Sequence, residues 1–215
     1  MDIEFTSSLT ERTTAVTDLI LAIEFLIFAI QFYRASKKKI HVASWAIPFL
    51  LLSAAFLTGA IFHGILKQNQ ELNVQLKFMM AFLTAFGLAH LVSASVREWQ
   101  IKIYLKSVIV MSLVSIGFIV VSAKASSFNI YVIFIIVSMF LVTRLNMMQF
   151  RKSKRAGHLW IILGAILTAI AGLIQLKRDI RFTIIWEFDC NGAFHLVQII
   201  ATFILGKGIL YLLKK

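Results

Sequence analysis

The sequence predicts an all-α fold, a polytopic membrane protein built as a seven-transmembrane helix bundle with its N-terminus outside and its C-terminus cytoplasmic. Three observations carry this expectation. The chain is 60 % hydrophobic and 15 % charged, with a mean hydropathy of +0.86, a balance outside the usual range of soluble domains. Apolar runs of about 20 residues, the length needed to cross a hydrocarbon core of roughly 30 Å, recur along the whole sequence. Lysine and arginine then alternate between rich and poor connections, as they do in membrane proteins of fixed orientation.

The first span is read at 14–34. The segment before it, MDIEFTSSLTER, is polar and mixed in charge. It has no basic start, short apolar core and small-residue cleavage site, so the span is expected to stay as an anchor. Within that segment Ser8 to Glu11, SLTE, fits a capping box, in which a serine oxygen accepts from an amide three residues on and the glutamate answers. The second span, 41–66, ends in FLTGAIFHG; the third, 76–96, contains KFMMAFLTAF. The fourth, 103–123, and fifth, 127–148, offer only Ser122, Ser127 and Asn129 as polar groups in their outer halves. The sixth is 157–175, and the seventh, 193–213, is entered through DCNGAFHLVQ. Short connections make neighbouring spans antiparallel members of one domain covering 1–215.

Fifteen basic residues fall on one side: Arg34, Lys37, Lys38, Lys39, Arg97, Lys102, Lys106, Arg144, Arg151, Lys152, Lys154, Arg155, Lys207, Lys214 and Lys215. Seven fall on the other: Arg12, Lys67, Lys77, Lys124, Lys177, Arg178 and Arg181. The richer side is expected to be cytoplasmic. The net charge of +12 is thereby assigned to topology and to anionic membrane lipids, and no nucleic-acid partner is expected. A lone cysteine, Cys190, excludes an internal disulfide framework. Trp45, Trp99, Trp160 and Trp186 suit the aromatic belts at the two interfaces.

Ionisable groups inside spans cost roughly 2.5 to 3.5 kcal/mol each on insertion scales, so each raises a functional question. Asp18 lies about one turn below the outer surface, and Glu24 about 9 Å deeper at 1.5 Å per residue. His63 approaches the outer surface near the end of span two. His195 stands in the first turn of span seven, with Gln198 three residues on and Asn191 four residues before, all on one face; Asp189 sits just above. Asp18, His63, His195, Gln198, Asn191 and Asp189 therefore share one depth, whereas His90 falls near the inner surface. These positions predict a polar pocket among spans one, two and seven, with Gly59, Gly64 and Gly192 allowing close helix approach. Its ligand would be a membrane lipid headgroup or a small polar molecule. Nothing in the sequence indicates an oligomeric state.

The histidines in FLTGAIFHG and NGAFHLVQ resemble the layout of the alkaline ceramidase and adiponectin-receptor (CREST-like) superfamily. That resemblance implies seven spans and a zinc site of one histidine on the second helix and an HxxxH pair on the seventh. His63 matches the second-helix ligand and His195 the second histidine of the pair. Asn191 stands where the first would be, Gly59 stands in the place of a nearby serine, and span three supplies no aspartate. The chain is also similar to a divergent bacterial branch of seven-span proteins that begin with a TERTTAVTD-like segment. Membership there would make Glu11 and Asp18, seven residues apart and so on one helical face, part of the pattern, and would put the protein in a bacterial cytoplasmic membrane.

From the residues alone, His63, His195 and Asp18 have the ligand count of a catalytic zinc. Zinc-bound hydroxide would then attack a lipid amide or ester, with Asp189 or Glu11 as proton shuttle. This metal-dependent hydrolase is the alternative to the ligand pocket of Asn191, Gln198 and Glu24. Proton-coupled transport through Glu24, or haem held by His63 and His195, are further alternatives.

Overall fold

A computed structural model describes residues 6–35, 40–65, 70–125 and 128–214. Seven helices, each long and apolar enough to cross a membrane, dominate it: α1 Leu9–Ala35, α2 Ile40–Ile65, α3 Gln70–Trp99, α4 Tyr104–Ala125, α5 Phe128–Ser153, α6 Ala156–Gln175 and α7 Cys190–Leu213. A single 3-10 turn, Ile101–Ile103, leads into α4. The chain is an integral membrane protein with the all-α, seven-helix architecture that its hydropathy requires. Leu66 and Ser127, with Lys37, Lys38, Lys39, Lys67 and Lys215, lie outside the described residues.

Helix ends depart from the apolar runs where polar residues continue the turn. α1 begins at Leu9, five residues before the span, and α5 runs on to Ser153, five residues beyond. Backbone hydrogen bonding favours continuing a helix through the headgroup layer once it is formed. α3 likewise starts at Gln70, six residues before the span. The α6–α7 connection holds an element that hydropathy does not reveal, a hairpin of β1 Phe182–Thr183 and β2 Glu187–Phe188. Phe182 and Phe188 stack across it at 5.2 Å, and its tip, Ile184 to Trp186, is exposed.

α1 packs on α2 and α7, α2 on α3, α3 on α5, α5 on α6, and α6 on α7. Six helices thus close a ring, and α4 lies outside it against α3. Only 17 % of the apolar stretch of α4 is buried, against 39 to 56 % for the other six. The α6–α7 seam is tight because glycines line it: a Cβ on Gly164 would meet the Leu205 nitrogen at 2.8 Å and the Ala201 oxygen at 2.9 Å. Small residues of this kind let helices approach in lipid, where no hydrophobic force drives them together.

Alternation of the helices defines two faces. One carries the start of α1, the ends of α2, α4 and α6, and the hairpin; we call it the N-terminal face. The opposite face is closed by buried polar contacts that apolar runs do not reveal. Arg97 donates to Ser44 Oγ at 2.9 Å, next to the turn where Pro48 has no amide hydrogen for the Ser44 carbonyl. Asn146 donates to Ser95 Oγ at 3.2 Å, and its Oδ1 meets His158 Nδ1 at 3.0 Å. Trp45 is corrected from the aromatic belt to the core: it is fully buried, and its indole donates to Glu98 Oε1 at 3.2 Å. A buried indole N–H has to find such a partner.

Candidate functional site

Inside the ring, towards the N-terminal face, lies a cavity of about 740 Å³. Its polar end is built from α1 outward. Glu11 and Asp18 are two turns apart on one face of α1, and each takes a histidine from a different helix. His63 Nδ1 on α2 meets Glu11 Oε2 at 2.7 Å, with both side chains about one-fifth exposed. His195 Nε2 on α7 meets Asp18 Oδ1 at 3.2 Å, and this pair is buried.

The second ring nitrogen of His195 is engaged as well, since Nδ1 lies 2.8 Å from Thr17 Oγ1. The Thr17 hydroxyl has one hydrogen and reaches the Thr13 and Thr14 carbonyls at 2.9 and 3.0 Å. With that hydrogen spent on a carbonyl, Thr17 Oγ1 accepts from Nδ1–H, and one proton is left to bridge Nε2 and the Asp18 carboxylate. Burying this pair is tolerable because both ring nitrogens of His195 and Asp18 Oδ1 are matched. Aromatic rings shield it: Phe56 meets His195 edge-on at 6.0 Å, and Phe194 lies 5.1 Å away. The approach of α1 to α2 depends on Gly59, where a Cβ would stand 2.8 Å from Asp18 Oδ2. Gly64 has only an ordinary 3.4 Å contact with Ala15, and Gly192 makes room for the hairpin residue Phe188 instead of for a helix.

The other candidates divide by role. Gln198 is buried in the cavity wall, where its Nε2 donates to Thr168 Oγ1 at 3.2 Å and Thr202 Oγ1 at 3.1 Å. Asn191 lines the cavity and accepts from Gln175 Nε2 at 3.2 Å. Asp189 is the N-cap of α7, its Oδ1 accepting from the amides of Asn191 and Gly192 at 2.9 Å. That use satisfies helix-end donors. Glu24 is not among the cavity-lining residues, and its buried Oε2 has no hydrogen-bond partner. Glu11 reaches the cavity through His63. The capping box is half formed, with a long 3.5 Å contact from the Glu11 amide to Ser8 Oγ, because the glutamate carboxyl turns to His63.

The pocket is wider than spans one, two and seven. α3 contributes Lys77, Phe78 and Thr84, α4 contributes Ile119 and Ser122, α5 contributes Tyr131 and Met139, and α6 contributes Thr168 and Gln175. Thr17 and the partners of Gln198 escape sequence reasoning because a threonine in a helix carries no periodic signal. Gln175 ends an apolar run and reads as a boundary.

Among the described residues, no three His, Cys, Asp or Glu side chains converge as a metal-ligand group. His63, His195 and Asp18 are therefore not gathered as a zinc set, and with Nδ1 held by Thr17 and Nε2 by Asp18, His195 has no free nitrogen for haem iron. The chain matches a family of unknown function (DUF6962) over residues 13–214. No curated protein and no solved structure matches it.

Proposed function

Because the chain belongs to this family of unknown function (DUF6962), its role has to come from its own geometry, and we propose that it binds an amphiphile, a lipid or lipid-like molecule, in the ring cavity. The observation that carries this reading is the polarity of that single space of about 740 Å³. At the N-terminal face its wall holds Asp18, His63, His195 and Gln198; towards the middle of the bundle it is Phe25, Phe49, Leu52, Leu88, Leu91 and Leu205. A headgroup is matched by the first set and an acyl or alkyl chain by the second, and the volume suits one such molecule. The paired histidines and carboxylates serve as a rigid polar ring around the head, since their own partners hold them in place.

The lysine and arginine balance supports an outer-facing mouth.

Native mass spectrometry of the detergent-purified protein tests the binding reading. Wild type is expected to retain one tightly held amphiphile per chain, and Ala81→Phe, which fills the mouth from α3 at a half-buried site, is expected to lose it while remaining folded. Equal retention by both proteins would refute the cavity as the site.

A further inference from the structure

Two glutamines in the cavity wall have their amide nitrogens occupied and their carbonyl oxygens unspent. Gln198 is 5 % exposed. Its Nε2 is held by hydroxyls from two helices, Thr168 and Thr202. Its Oε1 is buried without a partner. At the mouth the pattern repeats: Gln175 Nε2 is spent on Asn191 Oδ1, and Gln175 Oε1 is buried without a partner. An unmatched buried acceptor is costly, so native proteins rarely keep one without a use. Here both glutamines line one space.

Of the charged groups at the same end, Asp18 and Glu11 each face a histidine, and Lys77 Nζ stands over the Phe62 ring at 5.4 Å from its centroid. Thr168 and Gln175 are two turns apart on α6, so the acceptors span roughly 10 Å along the cavity.

Resting on the reading of this cavity as a ligand site, we propose that the bound amphiphile has a head that donates hydrogen bonds, bearing N–H or O–H groups, received by Oε1 of Gln198 and Gln175. A phosphate or carboxylate head would set acceptor against acceptor and leave both glutamines unpaired. Such a mismatch excludes a ligand more strongly than a missing apolar contact does.

The experiment uses the full chain in a polyoxyethylene detergent, with native mass spectrometry reading occupancy by four dodecyl amphiphiles and by dodecyl glucoside. Dodecylammonium carries N–H donors, dodecyl glucoside carries O–H donors, dodecyltrimethylammonium carries the charge without a donor, and dodecanoate and dodecyl phosphate carry acceptors. Dodecylammonium, dodecyl glucoside or both are expected to bind, the trimethyl compound and the two anions at least tenfold more weakly. Gln198→Leu is expected to weaken the donor head roughly tenfold, the scale of one hydrogen bond. Gln198→Glu, which offers only acceptors, should keep or tighten dodecylammonium. Gln175→Leu, at a half-buried site on the mouth, gives the same reading should Gln198→Leu fail to fold.

Preferential binding of dodecanoate or dodecyl phosphate would overturn the donor assignment and leave the cavity as a ligand site. Equal binding of the trimethyl compound would do the same, by showing that charge alone is read. Absence of binding by every probe would overturn the ligand site itself.

Discussion

Replacing Gly59 by alanine tests the link between helix packing and the buried polar pair. A Cβ at this position would lie 2.8 Å from Asp18 Oδ2, 3.0 Å from Cγ and 3.1 Å from Oδ1. Ordinary contact begins at 3.4 Å, so the nearest oxygen has to retreat by about 0.6 Å. The same carboxylate holds His195 Nε2 through Oδ1 at 3.2 Å, and Oδ1 itself stands 3.1 Å from the added Cβ, so the shift disturbs a contact already at the long end of hydrogen-bonding range. Overpacking costs about 1 to 3 kcal/mol, and alanine returns up to about 1 kcal/mol of helix propensity. A net loss of about 1 to 2 kcal/mol corresponds to a fall of roughly 2 to 8 °C in Tm for a chain of this size. Gly64→Ala, with its 3.4 Å contact to Ala15, is the control on the same helix and should be neutral or slightly stabilising. Thermal unfolding in detergent, followed by circular dichroism, gives both values. A double-mutant cycle completes the test, because Asp18→Ala removes the atoms that clash and should abolish the cost of Gly59→Ala. If Gly59→Ala matched Gly64→Ala, or cost the same with and without Asp18, the close approach at this glycine would not be what positions the pair.

The two histidines should differ in what they contribute to stability. His195→Ala leaves the buried Asp18 carboxyl without its partner and is expected to cost about 3 to 5 kcal/mol; His63→Ala breaks a partly exposed pair with Glu11 and should cost no more than about 1 kcal/mol. Equal losses in Tm would contradict the difference in burial. Elemental analysis of the purified protein should find zinc below stoichiometric amounts and unchanged in His63→Ala and His195→Ala, whereas one zinc per chain lost in both variants would require His195 to release Asp18 or Thr17. For the proposed orientation, Arg178→Cys on a Cys190→Ser background puts a thiol on the exposed α6–α7 connection. An impermeant maleimide applied to intact cells should label it, and labelling only after lysis would invert the topology.

Hydropathy alone leads to seven helices because it reports a one-body property, whether each residue prefers lipid to water, and this protein meets that condition along nearly its whole length. The candidate site was legible to the same extent. Asp18, His63, His195, Gln198 and Asn191 stand out as polar groups at one depth in apolar runs, and depth follows from counting 1.5 Å per residue. What counting cannot supply is azimuth. The sequence contains Glu11 and Asp18 on one face of α1, but which histidine meets which carboxylate depends on α1 lying between α2 and α7. Likewise, α3 meeting α5 while α4 stands outside the ring follows from side-chain packing among helices that are all equally apolar. The second fate of His195, its bond to Thr17, and the two unspent glutamine carbonyls exist only once six helices surround one space. One-dimensional polarity determined that this chain is a membrane bundle with polar groups near one face; tertiary packing decided which of them pair, which cap a helix, and which are left unpaired in the cavity wall.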